Sequence, residues 1–155
     1  MSFFSRLTAK KSASIPFCTA IVPAAGSSTR MAGQDKMFAL LAGEPVIVHT
    51  LRALQNSELI REIIVVTRED LILPISDLCK AYALDKVTKV IRGGANRTES
   101  VRLGTLEASQ QAELLAIHDG ARPLVSEGLI GGDSACRRLS RRRTGGTCKR
   151  HRQTL

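Results

Sequence analysis

No stretch of this 155-residue chain approaches the ~18 consecutive apolar residues that a membrane-spanning helix needs. No membrane partner is expected. The start, MSFFSRLTAKKSASIPF, is basic in flavour but lacks the apolar core of a signal peptide. Residues 1–16 therefore read as an N-terminal extension without fixed structure. The four cysteines, Cys18, Cys79, Cys136 and Cys148, show no CxxC spacing. They point to neither a zinc site nor a disulfide framework and fit a reducing, cytoplasmic location. Two phosphate-binding signatures are also missing: neither GxxxxGK[ST] nor GxGxxG occurs.

Acidic residues are scarce, and the net charge of +9 raises the question of nucleic acid. The distribution of charge argues against it. Residues 131–155 hold eight Lys or Arg and one acid, Asp133, a net of +7, whereas residues 1–130 hold 15 Lys or Arg and 13 acids, a net of +2. The main body is nearly balanced, and no nucleic-acid partner is expected of it.

What is present is an alternation. Short apolar runs bounded by turn signals lie at 19–23 (TAIVP), 62–67 (EIIVVT), 86–91 (KVTKVI) and 114–118 (LLAIH). Such runs suit strands buried on both faces. Helical segments are expected between them: 45–55, opening on Pro45; 74–83; and 98–109, where Val101, Leu103 and Leu106 make a weaker apolar pattern. Strands alternating with helices imply right-handed βαβ units and an α/β fold with a mostly parallel sheet. Ligands then sit beyond the carboxyl ends of the strands.

Three loops at those ends carry residues with chemistry. The first holds Pro23, Ala24, Ala25, Gly26, Ser27, Ser28, Thr29 and Arg30, with Lys36 six residues on. Small residues let a backbone approach a ligand, and successive amides can cradle phosphate oxygens. Arg30 and Lys36 can neutralise charge on a triphosphate under attack. The same loop also suits a plain turn. In the second, 92–101, Gly93 and Gly94 permit a tight turn or contact with a flat base. Thr98 or Ser100 is expected to cap the next helix with Glu99 in its first turn, which is compatible with a nucleotide contact by Ser100. The third, 118–123, places Asp119 where a carboxylate can hold Mg²⁺. An Asp turn, paired with Arg122 or capping the helix after Ser126, is the alternative. His118 reads as structural, because an acceptor phosphate needs no strong base, and Tyr82 and His49 carry no signal.

Together, AIVPAAGSSTRM (20–31), DKMFALLAGEPVIVHTLRAL (35–54), IIVVTRED (63–70), RGGANRTESVRLG (92–104) and IHDGARPLVSEGLI (117–130) resemble the 2-C-methyl-D-erythritol 4-phosphate cytidylyltransferase family of non-mevalonate isoprenoid biosynthesis. The first motif is shared with many sugar-phosphate nucleotidyltransferases. The pairing of GGxxRxxSV with HDxARP is far more specific. The resemblance implies a Rossmann-like three-layer sandwich of nucleotide-diphospho-sugar transferase type over 17–130. It implies CTP and a sugar-alcohol phosphate as substrates, Mg²⁺ as cofactor, and a homodimer. It implies that Arg30 and Lys36 stabilise the transition state. Pro23, Ala24, Ala25, Gly26, Ser27, Thr29, Gly93, Gly94, Ser100 and Arg122 would bind the nucleotide, and Asp119 the metal. Met37 stands where the family commonly has Gln, and Gly120 where it has Ala; neither position supplies charge. A related enzyme such as ribitol-5-phosphate cytidylyltransferase, and a non-catalytic nucleotide-binding fragment, are the alternatives.

After Ile130 the motif resemblance ends. Residues 145–153, read one nucleotide later, can encode Ala-Ala-Pro-Val-Lys-Asp-Thr-Val-Lys, which resembles a downstream family segment. Residues 131–155 are accordingly expected to be an out-of-frame tail, too poor in apolar residues to fold. The chain as written is expected to bind CTP weakly without turnover.

Overall fold

The computed structural model describes residues 15–26, 35–126, 130 and the backbone of 136–138. Along them run β1 (Cys18–Pro23), β2 (Leu40–Leu41), β3 (Glu44–Pro45), α1 (Val46–Asn56), β4 (Ile60–Thr67), a 3-10 turn (Glu69–Leu71), α2 (Ile72–Ala81), β5 (Val87–Arg92), α3 (Arg97–Leu106), β6 (Leu114–Ile117) and β7 (Cys136–Arg138). Five strands form one sheet in the order β5-β4-β1-β6-β7. β1 pairs in parallel with β4 and β6, and β4 with β5; β7 lies antiparallel to β6. No helix among the described residues is long and apolar enough to cross a membrane.

The pleat sorts side chains onto two faces. Ala20, Val22, Ile63 and Val65 meet Ile47, Val48, Leu51 and Leu54 of α1 and Ile75 of α2. Ile21, Ile64, Val66 and Leu115 form the opposite cluster, against which α3 packs. The result is the expected three-layer α/β sandwich. β1 and β4 are the central strands, nearly every residue buried, as their apolar runs require.

Four expectations need correction. β5 is an edge strand with half-exposed residues, not one buried on both faces; its Lys89 bonds Glu107 on the surface. Pro45 does not start the helical turn: it pairs with Leu40 in a small hairpin and stands as the N-cap of α1. That hairpin went unread; its turn needs positive φ at Ala42 and Gly43 (51° and 87°). Within the expected structureless tail, the backbone of Cys136–Arg138 is paired with β6. The other residues of 131–155, and residues 1–14, lie outside those described.

α3 also buries a different face from the one expected. Leu106 is exposed, and the buried residues are Ser100 and Gly104. A Cβ at Gly104 would come within 2.6 Å of Ile21 Cγ2 and 2.8 Å of Val66 Cγ2. Both partners are fully buried in the sheet, so the helix would have to move out. Gly104→Val is expected to cost about 2 kcal/mol by overpacking, read as a lower urea midpoint; an unchanged midpoint would contradict the close approach. Burial also pushes the Cys79 thiol up to about 11. Cys79 is therefore expected to resist iodoacetamide at pH 8 until the chain is unfolded, as peptide mapping would show.

Candidate functional site

β1 sits where the chain reverses its direction of travel across the sheet. Segments through α1 and α2 add β4 and β5 on one side; the segment through α3 crosses to β6 on the other. Crevices form at such switch points. A cavity of about 530 Å³ opens there, lined by the loops that follow β1, β5 and β6 and by Lys36 and Met37.

The first loop is fixed before it reaches the cavity. The buried Ala24 donates its amide to the Val66 carbonyl at 2.7 Å, and its own carbonyl accepts from Thr67 Oγ1 at 3.3 Å. Pro23, Ala25 and Gly26 line the wall. A Cβ built at Gly26 meets nothing within 4 Å, so that space lies open. Ser27, Thr29 and Arg30 lie outside the described residues.

In the second loop the two glycines do different work. The Gly93 amide bonds the Thr67 carbonyl at 2.7 Å, and a Cβ there would strike Ser100 Oγ at 2.7 Å. Gly94 lines the cavity and donates to Ser100 Oγ at 3.2 Å, while that hydroxyl donates to the Asn96 carbonyl at 2.9 Å. The cap of α3 is Asn96, not Thr98 or Ser100: Asn96 Oδ1 accepts from the Glu99 amide at 2.9 Å. Glu99 Oε2 reaches back to the Ala95 amide at 2.9 Å. This reciprocal bonding resembles a capping box displaced by one residue, and it holds the turn above the cavity.

The third loop is tied to β1 and α1. The Gly120 amide donates to the Pro23 carbonyl at 3.0 Å, and Thr50 Oγ1 donates to the Gly120 carbonyl at 2.8 Å. A Cβ at Gly120 would meet Ala24, Met37 and Val22 at 3.3–3.4 Å, a tight fit against one flexible thioether. Met37, 2% exposed, packs as core. His118 Nε2 lies 3.1 Å from the Arg122 carbonyl and bridges the loop, in keeping with a structural role.

Asp119 is the one carboxylate on the cavity wall among the described residues. Its Oδ1 accepts from Arg97 Nε at 3.0 Å and Nη2 at 2.7 Å. Its Oδ2 lies 3.2 Å from Arg122 Nε. The pairing with Arg122 was an open alternative; the pairing with Arg97 was missed. Asn96 and Arg97, inside the second loop but not singled out from the sequence, also line the cavity. The spacing Asn96-x-x-Glu99 was a readable cap signal. Nothing local links Arg97 to a carboxylate 22 residues away.

Of the residues read from the sequence, Pro23, Ala25, Gly26, Lys36, Gly94, Ser100, Asp119 and Arg122 share this one cavity. Ala24 and Gly93 stand behind its wall, with their amides spent on holding it. Amides, two guanidinium groups, one ammonium and one carboxylate around an open space suit a polyanionic ligand with a bound cation.

The chain is similar to known proteins of one family. The model of the 2-C-methyl-D-erythritol 4-phosphate cytidylyltransferase family, IspD, matches residues 18–146. The match passes Ile130, where the motif resemblance was read as ending. The enzyme of that name from Dehalococcoides mccartyi strain CBDB1 is 47% identical over 106 residues, 68% of this chain and 46% of the relative. Its counterpart from Syntrophus aciditrophicus is 41% identical over 117 residues, 74% of this chain and 50% of the relative. The structure of 4-diphosphocytidyl-2C-methyl-D-erythritol synthase from Anaerococcus prevotii superposes with a TM-score of 0.63 at 30% identity, covering 76% of this chain and 49% of that one. The chain thus spans about half the length of the curated relatives it matches. With its sheet order, its cavity and this similarity taken together, the chain belongs to the 2-C-methyl-D-erythritol 4-phosphate cytidylyltransferase family.

Proposed function

We propose that the cavity binds CTP with Mg²⁺, and that in a full-length form the site transfers a cytidylyl group to 2-C-methyl-D-erythritol 4-phosphate. The observation that carries this reading is the meeting of three βα loops and Lys36 at one switch-point cavity. A phosphate oxygen of the acceptor attacks the α-phosphorus of CTP in line. The new P–O bond forms as the bond to the β-phosphate oxygen breaks, and pyrophosphate leaves with that electron pair. Lys36, with Arg30, offsets the charge on the transferring group. The amides around Gly26 hold phosphate oxygens, and the Gly93–Gly94 turn, whose own amides are spent on Thr67 and Ser100, offers a side-chain-free surface to the base. The donor set fits Mg²⁺, which takes one or two carboxylates and completes its shell from phosphates and water. Asp119 would be the protein ligand, and the ion would supply neutralisation of phosphate charge.

Binding without turnover is the second reading for the 155-residue chain, favoured by its coverage of half the relatives' length. Calorimetric titration with CTP in Mg²⁺, followed by a pyrophosphate-release assay, tests both. CTP binding with no pyrophosphate supports the second reading; release with methylerythritol phosphate but not ribitol 5-phosphate supports the first. Failure to bind CTP overturns both. Gly26→Val is expected to leave stability within about 0.5 kcal/mol and to weaken CTP binding, because the added side chain enters open space. Equal CTP affinity would remove Gly26 from the site. The frame change read from 145–153 is tested by the nucleotide sequence across codons 125–155. An uninterrupted frame encoding this tail ends that reading.

A further inference from the structure

We propose that Arg68 is a positioning residue for Lys36, acting through the Asp35 carboxylate. The proposal rests on the nucleotide reading above. Lys36 and Met37 reach the cavity from a turn rather than from a loop that directly follows a sheet strand. The bonds on either side of Lys36 therefore set its position. Asp35 Oδ1 accepts from the Met37 amide at 3.0 Å, spanning Lys36, and the Asp35 carbonyl accepts from the Phe38 amide at 2.9 Å. Met37 is buried in the core, and its carbonyl accepts from the Ile47 amide at 3.1 Å. One flank of Lys36 is thus fixed to α1. The other faces the residue after β4 in an ion pair: Asp35 Oδ2 lies 3.1 Å from Arg68 Nη1 without hydrogen-bond geometry.

Arg68 is well placed to serve as that anchor. It directly follows β4, whose last residue, Thr67, is fully buried and bonded to the Ala24 carbonyl. Its guanidinium is held from the far side by Asp70, with Nε and Nη2 at 3.2 and 3.1 Å from the two carboxylate oxygens. The two carboxylates hold the guanidinium above the usual arginine range, Asp70 contributing most. The Asp35 carboxylate is only 12% exposed, so water replaces a lost partner poorly.

Two consequences for Lys36 follow from this pairing. The backbone that carries its ammonium is held before ligand arrives, which lowers the ordering cost of binding. The Asp35 charge, one residue from Lys36, is compensated; without Arg68 it would compete with a triphosphate for the Lys36 ammonium. Both consequences act on the phosphate-binding role of Lys36, so they vanish when Lys36 is absent.

A double-mutant cycle on the 155-residue chain tests this, with the CTP–Mg²⁺ affinity read by calorimetry and folding by thermal melting. Arg68→Ala is expected to weaken CTP binding by about fivefold in the otherwise unsubstituted chain and to have no further effect in the Lys36→Ala background. Arg68→Lys, which keeps a cation beside Asp35, is expected to recover part of the loss. An unchanged affinity in Arg68→Ala overturns the proposal. So does an equal loss in both backgrounds, which would mark a general structural role. Lys36→Ala that leaves affinity unchanged overturns it as well. Absence of CTP binding in the unsubstituted chain overturns the nucleotide reading and this proposal with it.

Discussion

Asp119→Asn is expected to make CTP binding indifferent to Mg²⁺, whereas the unsubstituted chain gains on the order of tenfold in affinity when Mg²⁺ is added, the worth of one charge-assisted contact. The partners of the Asp119 carboxylate set this outcome. The described residues contain no group of three or more His, Cys, Asp or Glu able to hold a cation, and Asp119 is the carboxylate they place on the cavity wall. Without ligand, both its oxygens are engaged by Arg97 and Arg122. Mg²⁺ on Asp119 and phosphate on the two arginines would exchange those partners without stranding a charge. Asparagine removes the negative charge that binds the metal and weakens the hold on both guanidinium groups. In metal-free buffer the variant is therefore expected to bind CTP at least as tightly as the unsubstituted chain. Titrations with and without Mg²⁺ read both effects. An equal response to Mg²⁺ in the two proteins would remove Asp119 from the metal site.

The second large effect is on stability. Glu62, 7% exposed on β4, accepts from Thr19 Oγ1 at 2.7 Å, Thr88 Oγ1 at 3.1 Å and the Ser109 amide at 3.0 Å. One carboxylate thus ties together β1, β5 and the turn after α3. Glu62→Ala strands the fully buried Thr19 hydroxyl. The expected cost is about 3 kcal/mol, from charged hydrogen bonds lost and a donor left unpaired. That is a large share of the roughly 5–15 kcal/mol typical of a domain. Glu62→Gln keeps the shape and one acceptor oxygen, and is expected to lose less. Urea denaturation of the three proteins gives the order, and a Glu62→Ala midpoint equal to the unsubstituted one would contradict it.

Legibility in the sequence followed the range of the interactions. β1 and β4 could be read because buried central strands are apolar runs, and their loops could be placed together because βα turns share one sheet edge. α3 was expected as a helix and is one, but its buried face was not legible because its contact with the sheet is made by absence of bulk. Gly104 lets the helix close on Ile21 and Val66, so Leu106 was left outside. The β2–β3 hairpin hides in Ala42-Gly43, where a positive φ at Ala42 is not announced by its residue type. Side-chain pairs distant in sequence left no local trace: Asp119 with Arg97, Glu62 with Thr19, and Asp35 with Arg68. The site's charged groups were mostly nameable; what holds them was not.

Amide hydrogen exchange on the 155-residue chain, with and without CTP and Mg²⁺, addresses the shared cavity most directly. A shared cavity requires protection to rise together in 23–26, 93–100 and 119–122, three segments far apart in sequence. Protection confined to one of these, or found only in the basic residues 131–155, would contradict it.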